Sequence, residues 1–144
     1  MIYKEKPENF NPKMEVVSCF LEHHNEFLLL HRQDHKSEGN KWGVPAGKIE
    51  KGESLKAGLM REVKEEVGII ILESQLNYWG KIYIRYPEYD FMYHMFSTQL
   101  SSRPVVWLNL EEHKDFAWVS PKDSLHMNLV LDEDNSIKLF YGLE

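Results

Sequence analysis

Gly47-Lys48-Ile49-Glu50-Lys51-Gly52-Glu53-Ser54-Leu55-Lys56-Ala57-Gly58-Leu59-Met60-Arg61-Glu62-Val63-Lys64-Glu65-Glu66-Val67-Gly68-Ile69 is the stretch around which the rest of the chain is read. A polar loop comes first, then a segment with helical periodicity. The helix is expected to start at Ser54, a natural N-cap, and to stop at Gly68, where a left-handed residue closes the last turn. Leu59, Val63 and Val67, with Met60 beside them, form an apolar stripe that can anchor it. At about 100° of turn per residue, Glu62, Glu65 and Glu66 fall on an adjacent arc of roughly 100°. Like charges three and four residues apart repel by a few tenths of a kcal/mol per pair. Three carboxylates on one stripe are tolerable around a cation, and hard oxygen donors suit Mg²⁺ or Mn²⁺. A solvated acidic face would leave the placement of Gly47, Glu53, Arg61 and Gly68 unexplained.

The same residues resemble the Nudix box, G-x5-E-x7-R-E-U-x-E-E-x-G-U with U a bulky aliphatic, at every fixed position, with Val63 and Ile69 as the two U residues. The lead-in from Lys41 to Ala46 is also similar to the family's, with Ala46 where many members carry Gly. The resemblance implies an α/β/α sandwich with a mixed β-sheet and a hydrolase acting on a nucleoside diphosphate linked to another moiety. It implies Mg²⁺ or Mn²⁺ as cofactor, held by Glu62, Glu65 and Glu66 with the backbone carbonyl of Gly47. Arg61 and Glu53 are expected to pair and orient the loop against the helix, while Gly47 and Gly68 serve backbone geometry.

Length and composition set the frame. A chain of 144 residues with 42% hydrophobic content builds one sizeable core, so residues 1–144 read as a single domain with residues 1–13 as an N-terminal arm. The net charge of −6 and scattered basic residues argue against a long nucleic-acid partner. A phosphorylated small molecule stays compatible because bound cations offset local charge. Cys19 is the one cysteine, which excludes an internal disulfide and fits a reducing, cytoplasmic compartment. The first residues lack the apolar core of a signal peptide, and no apolar run approaches the ~20 residues of a membrane span. Homodimerisation is left open.

Along the chain, residues 14–22 and Phe27–Arg32 read as strands joined by a turn at His23–Glu26, and Gln33–Asn40 as a loop. Trp42–Pro45 is a short extended piece; residues 76–86 and 91–100 are two long strands turning near Pro87. Phe116–Val119 is a short strand, Pro121 opens a helical turn, and Asp132–Leu143 is a last helix with an acidic first turn. Strands interleaved with helices point to a mixed sheet between helical layers.

Further site candidates lie outside the box. Arg32, at a strand end, offers a guanidinium fork for phosphates, or pairs with a nearby acid. Tyr83, Tyr86, Tyr89, Phe91 and Tyr93 could stack on a base or pack within the sheet. His31 and His35 lack further ligands for zinc, and Cys19 reads as core. The pattern Glu112-His113, two residues, Phe116, one residue, Trp118-Val119 resembles the family's usual sequence there and points to Glu112 as general base, with Glu53 or Glu66 next in line. An asparagine in a comparable place reads the base in MutT-like relatives, which nominates Asn135; helix capping is its other reading.

Substrate choice is less legible. Tyr86 and Pro87 stand near positions that mark diadenosine polyphosphate and ADP-ribose hydrolases in the family, but compact length and layout look more like MutT-type nucleoside triphosphate pyrophosphohydrolases. ADP-ribose, nucleotide-sugar or diadenosine polyphosphate hydrolysis is the alternative within the family. Outside hydrolysis, a non-catalytic nucleotide-sensing domain would be expected to lose box glutamates, and an isomerase would need a cysteine near the box, whereas Cys19 lies in the first long strand.

Overall fold

The computed structural model describes all residues from Met1 to Glu144. Its strands are β1 (Ile2–Tyr3), β2 (Pro12–His23), β3 (Glu26–Arg32), β4 (Trp42–Gly43), β5 (Ala46–Lys48), β6 (Asn77–Arg85), β7 (Asp90–Gln99) and β8 (His113–Val119). Its helices are α1 (Leu55–Val67), the short α2 (Pro121–Ser124) and α3 (Glu133–Tyr141). The sheet is mixed: β2 runs parallel to β7, and the remaining pairings are antiparallel.

The feature that builds the site is a split in this sheet. The β2–β3 hairpin turns through His24 and Asn25, both with positive φ. It pairs only near that turn, at Glu22↔Phe27 and His23↔Glu26. Beyond it the strands part, and residues 42–48 fill the wedge. β4 bonds β3 at Leu30↔Gly43, while β5 bonds β2 at Val17↔Gly47, and the Cys19 amide donates to the Pro45 carbonyl at 3.1 Å. Gly47 is thereby carried on a strand to the edge of α1.

β2 and β3 read as near-continuous apolar runs because both sheet faces are covered. Val17, Cys19, Leu21, Leu28 and Leu30 turn toward Leu59, Val63 and Val67 of α1. Phe20, Phe27 and Leu29 turn the other way, toward Ile137 of α3. The chain is thus the α/β/α sandwich expected.

Three local expectations change. The arm over residues 1–13 is partly sheet, since Ile2 and Tyr3 pair with Ile84 and Tyr83 and Phe10 meets Tyr83 edge-on at 5.2 Å. β5 was unforeseen, because Ala-Gly-Lys has no strand propensity and is held by β2 alone. β8 begins at His113 rather than Phe116, paired to Arg32 across a register shift. No helix is long and apolar enough to cross a membrane.

Candidate active site

Helix α1 starts and stops where expected. The Ser54 hydroxyl accepts from the Ala57 amide at 3.1 Å, and Gly68 adopts φ 71° with its amide bonded to the Lys64 carbonyl. Beyond it, the extended segment before β8 satisfies two of the helix's last carbonyls: the Trp107 amide reaches Val67 and the Asn109 amide reaches Glu66. These bonds bring Glu112 and His113 back beside the acidic face.

Arg61 is the organiser of the exposed part of that face. Its Nε and one terminal nitrogen grip the two Glu53 oxygens at 2.7 and 2.9 Å. The same nitrogen also donates to the Lys48 carbonyl, at 3.1 Å. The other terminal nitrogen donates to Glu62 at 2.8 Å and Glu65 at 3.3 Å. All five guanidinium donors therefore find acceptors. Glu53 also accepts from the Glu50 amide, and these bonds, with Arg61 first, pull its carboxyl down to about 2. The Glu53–Arg61 pair thus ties the loop to the helix.

Glu66 has different surroundings. Its Oε1 accepts from the Ala46 amide at 2.9 Å, and burial, with the Glu62 charge next, pushes its carboxyl well above the usual range. It lines a cavity of about 220 Å³ bounded by both helical layers, with Glu133 and Ser136 contributed by α3. Tyr86, Tyr89, Phe91 and Tyr93 line the same cavity, whereas Tyr83 does not. Arg32 also lines it, and its positive charge favours the ionised form of Glu66; its Nε donates to the Ser37 carbonyl at 2.9 Å. Glu133, fully buried, spends one oxygen on the Val44 amide at 2.7 Å and the other on the Ser136 hydroxyl at 2.7 Å, so it joins α3 to the wedge.

Gly47 is required for a reason other than backbone freedom. It has no positive φ; instead, a Cβ there would collide with the Glu62 carboxyl group. Its carbonyl-bearing strand, Glu62, Glu65 and Glu66 present hard oxygen donors on one side of α1; burial raises the carboxyls of both the partly buried Glu62 and the more enclosed Glu66, and added positive charge would favour their ionised forms. By donor type these residues fit Mg²⁺ or Mn²⁺. They do not converge as an isolated stripe would: no three acidic, histidine or cysteine side chains meet around one point. The reason is visible in the hydrogen bonds, since Arg61 draws Glu62 and Glu65 one way and the Ala46 amide draws Glu66 the other.

Glu112 stands at the periphery, paired with Lys36 at 3.0 Å, yet near enough for its charge to raise the Glu66 carboxyl. Asn135 is exposed outside this cavity, near the start of α3, and its amide donates to Asp132 at 3.1 Å. Cys19 is buried in the core, and His31 stacks on Trp42 with centroids 4.2 Å apart. Sequence reasoning passed over His113, the second half of the Glu-His pair it noticed. This buried residue lines the cavity with Nδ1 3.8 Å from Glu66 Oε2, and burial lowers its pKa to about 4.

A family model described as NUDIX domain matches residues 12–140. The chain is similar to the nucleoside triphosphatase NudI of Escherichia coli K12, 28% identical over 134 residues that cover 86% of this chain and 94% of that protein. Among solved structures, the MutT protein from Methanosarcina mazei Go1 superposes with a TM-score of 0.78 at 29% identity, covering 91% of this chain and 94% of that one. The NUDIX domain of Shewanella oneidensis NrtR, complexed with ADP ribose, shares the fold with a TM-score of 0.76 at 19% identity, covering 96% of this chain and 92% of that one.

Proposed function

The chain belongs to the Nudix family of hydrolases, and from that premise we propose that it cleaves nucleoside triphosphates with water to a nucleoside monophosphate and pyrophosphate. The observation that carries this reading is one cavity lined both by Glu66 and Arg32 and by Tyr86, Tyr89, Phe91 and Tyr93. Phosphates call for the first set and a nucleobase for the second, because a guanidinium matches phosphate oxygens and tyrosine faces stack on bases. Similarity to a nucleoside triphosphatase over 86% of the chain supports triphosphates over the other classes the family accepts.

Glu62, Glu65 and Glu66, with the Gly47 carbonyl, would hold Mg²⁺ or Mn²⁺. Such a cation supplies positive charge to the phosphates and Lewis acidity at the reacting phosphorus. The chain's own residues do the rest. Arg61 fixes Glu53 and the 48–53 loop so that the acidic face keeps its shape during turnover. Arg32 orients phosphate oxygens. Glu112, on the segment that reaches the end of α1, takes the proton from the attacking water.

The test is a panel of nucleoside triphosphates, ADP-ribose, nucleotide sugars and diadenosine polyphosphates with Mg²⁺ or Mn²⁺, read by mass. Monophosphate and pyrophosphate from the triphosphates are expected. Turnover of another class alone moves the substrate, and no turnover of any member with either metal overturns the reading.

A further inference from the structure

His113 is the residue of the cavity whose chemistry remains unspent. Its side chain is only 6% exposed, and Nδ1 is among the few buried polar atoms with no hydrogen-bond partner. A ring nitrogen is seldom buried without a partner, because the bonds it made to water are lost. The backbone that carries the ring is fixed: the His113 amide is bonded to the Asn109 carbonyl at 3.0 Å, and its Cα is in register with Arg32 of β3. The group facing Nδ1 is Oε2 of Glu66, 3.8 Å away, too far for a hydrogen bond and reachable by side-chain rotation.

Glu66 is half-held already. The Ala46 amide takes Oε1. A carboxylate has about four acceptor sites on its two oxygens. An N–H donor on Oε2 would pin the second oxygen, set the plane of the carboxylate, and leave the other lone pairs directed into the cavity. The geometry points to His113 as a positioning residue that donates from Nδ1 to Oε2 of Glu66 and thereby presents Glu66 to a divalent cation. This rests on the reading of Glu66 as a metal ligand. Donors of this sort, placed behind a liganding group, commonly change metal affinity about 10–100-fold.

The experiment measures Mn²⁺ binding to the nucleotide-free protein by electron paramagnetic resonance and calorimetry, with melting temperature recorded for each variant. His113→Phe keeps the ring volume without the donor and is expected to weaken Mn²⁺ binding about 10-fold or more. His113→Asn, with an amide N–H near the Nδ1 position, should recover part of that loss, and His113→Gln, whose donor lies one atom further out, should recover less. In a Glu66→Gln background, His113→Phe should add less than about twofold, because a residue acting through Glu66 has nothing left to position. If Glu66→Gln weakens Mn²⁺ binding and a folded His113→Phe does not, His113 is not a positioning residue. If His113→Phe fails to fold, the Asn and Gln variants decide, and equal Mn²⁺ affinity in the two overturns the proposal. Should Glu66→Gln itself bind Mn²⁺ like the wild type, the metal site is misread and the failure lies there, not with His113.

Discussion

The exposed charge cluster around Arg61 and the enclosed stretch around Glu66 lie within two turns of one helix and handle negative charge in opposite ways. At the first, one guanidinium is shared among Glu53, Glu62 and Glu65, and the Glu53 carboxyl, which it grips with two nitrogens, is held down at about 2, while Arg61 opposes the upward push of burial on Glu62. At the second, Glu66 has one backbone amide and no cationic partner within bonding distance, and burial drives its carboxyl upward. Paired charge at the rim holds the loop in shape; unpaired charge in the cavity is costly to the fold and is available to a ligand. The same residue type serves architecture in one place and chemistry in the other.

The largest effect expected from this contrast is on turnover. Glu66→Gln should lower kcat about 1000-fold with Mg²⁺ present, and Glu65→Gln about 100-fold, the tenfold difference corresponding to about 1.4 kcal/mol more transition-state stabilisation from the enclosed group. Steady-state kinetics on both variants check this. A larger loss from Glu65 than from Glu66 would break the division into rim and cavity.

Gly47→Ala sharpens it next. The new methyl group must displace the Glu62 carboxyl, the far end of a flexible side chain, while the backbone at residue 47 has ordinary φ. Activity is expected to fall roughly 10–100-fold with melting temperature changed by less than about 2 °C. A large drop in melting temperature with activity preserved would mean that Gly47 serves the wedge and not Glu62.

Stability should separate the two regions in the reverse order. Arg61→Lys replaces a five-donor fork by a point charge and should lower the melting temperature by about 3–8 °C. Glu66→Gln should leave it unchanged or raise it, since a buried carboxylate is replaced by a neutral amide. Mg²⁺ should stabilise the wild type by mass action and stabilise Glu66→Gln less. Scanning fluorimetry with and without the metal reads all three, and a strong loss of stability in metal-free Glu66→Gln would assign Glu66 a structural role.

The smallest effect concerns acid. Glu53 and Asp90 are both held at about 2, Glu53 by Arg61 and Asp90 by Arg85, below their ordinary values of 4.5 and 3.8. Groups depressed on folding contribute stability that is complete above the ordinary value and is lost as pH falls through the folded one. Melting temperature should therefore decline between pH 4.5 and about 2. Asp90→Asn should flatten part of that decline and leave activity at neutral pH unaltered. An unchanged acid slope would show that the Arg85–Asp90 tie contributes nothing measurable.

Much of the fold was readable because it depends on local chemistry. The Ser54 cap, the Gly68 stop, the stripe of Leu59, Val63 and Val67, and the long strands on either side of Pro87 all follow from short-range patterns. What escaped depended on partners distant in sequence. Residues 46–48 are a strand only because β2 and β3 separate beside them, and Ile2–Tyr3 only because β6 offers an edge. The same holds for the site. His113 was overlooked because its meaning comes from Glu66, 47 positions away by the numbering. Asn135 was nominated by position along the chain, and its bond to Asp132 is visible only in the fold.

The sequence by itself therefore determined the family, the layered fold, the extent of the helix and which acids stand on its face, since each is written in spacing and side-chain type. Tertiary structure alone decided how those acids differ. It put Glu62 and Glu65 on Arg61, took Glu66 out of water against the Ala46 amide, set His113 opposite it, and gathered Tyr86, Tyr89, Phe91 and Tyr93 into one wall. The physical reason is that a carboxylate's properties come from solvation and from charges within a few ångströms. Those neighbours arrive from β3, β5, β7 and the start of β8, which meet only when the chain is folded.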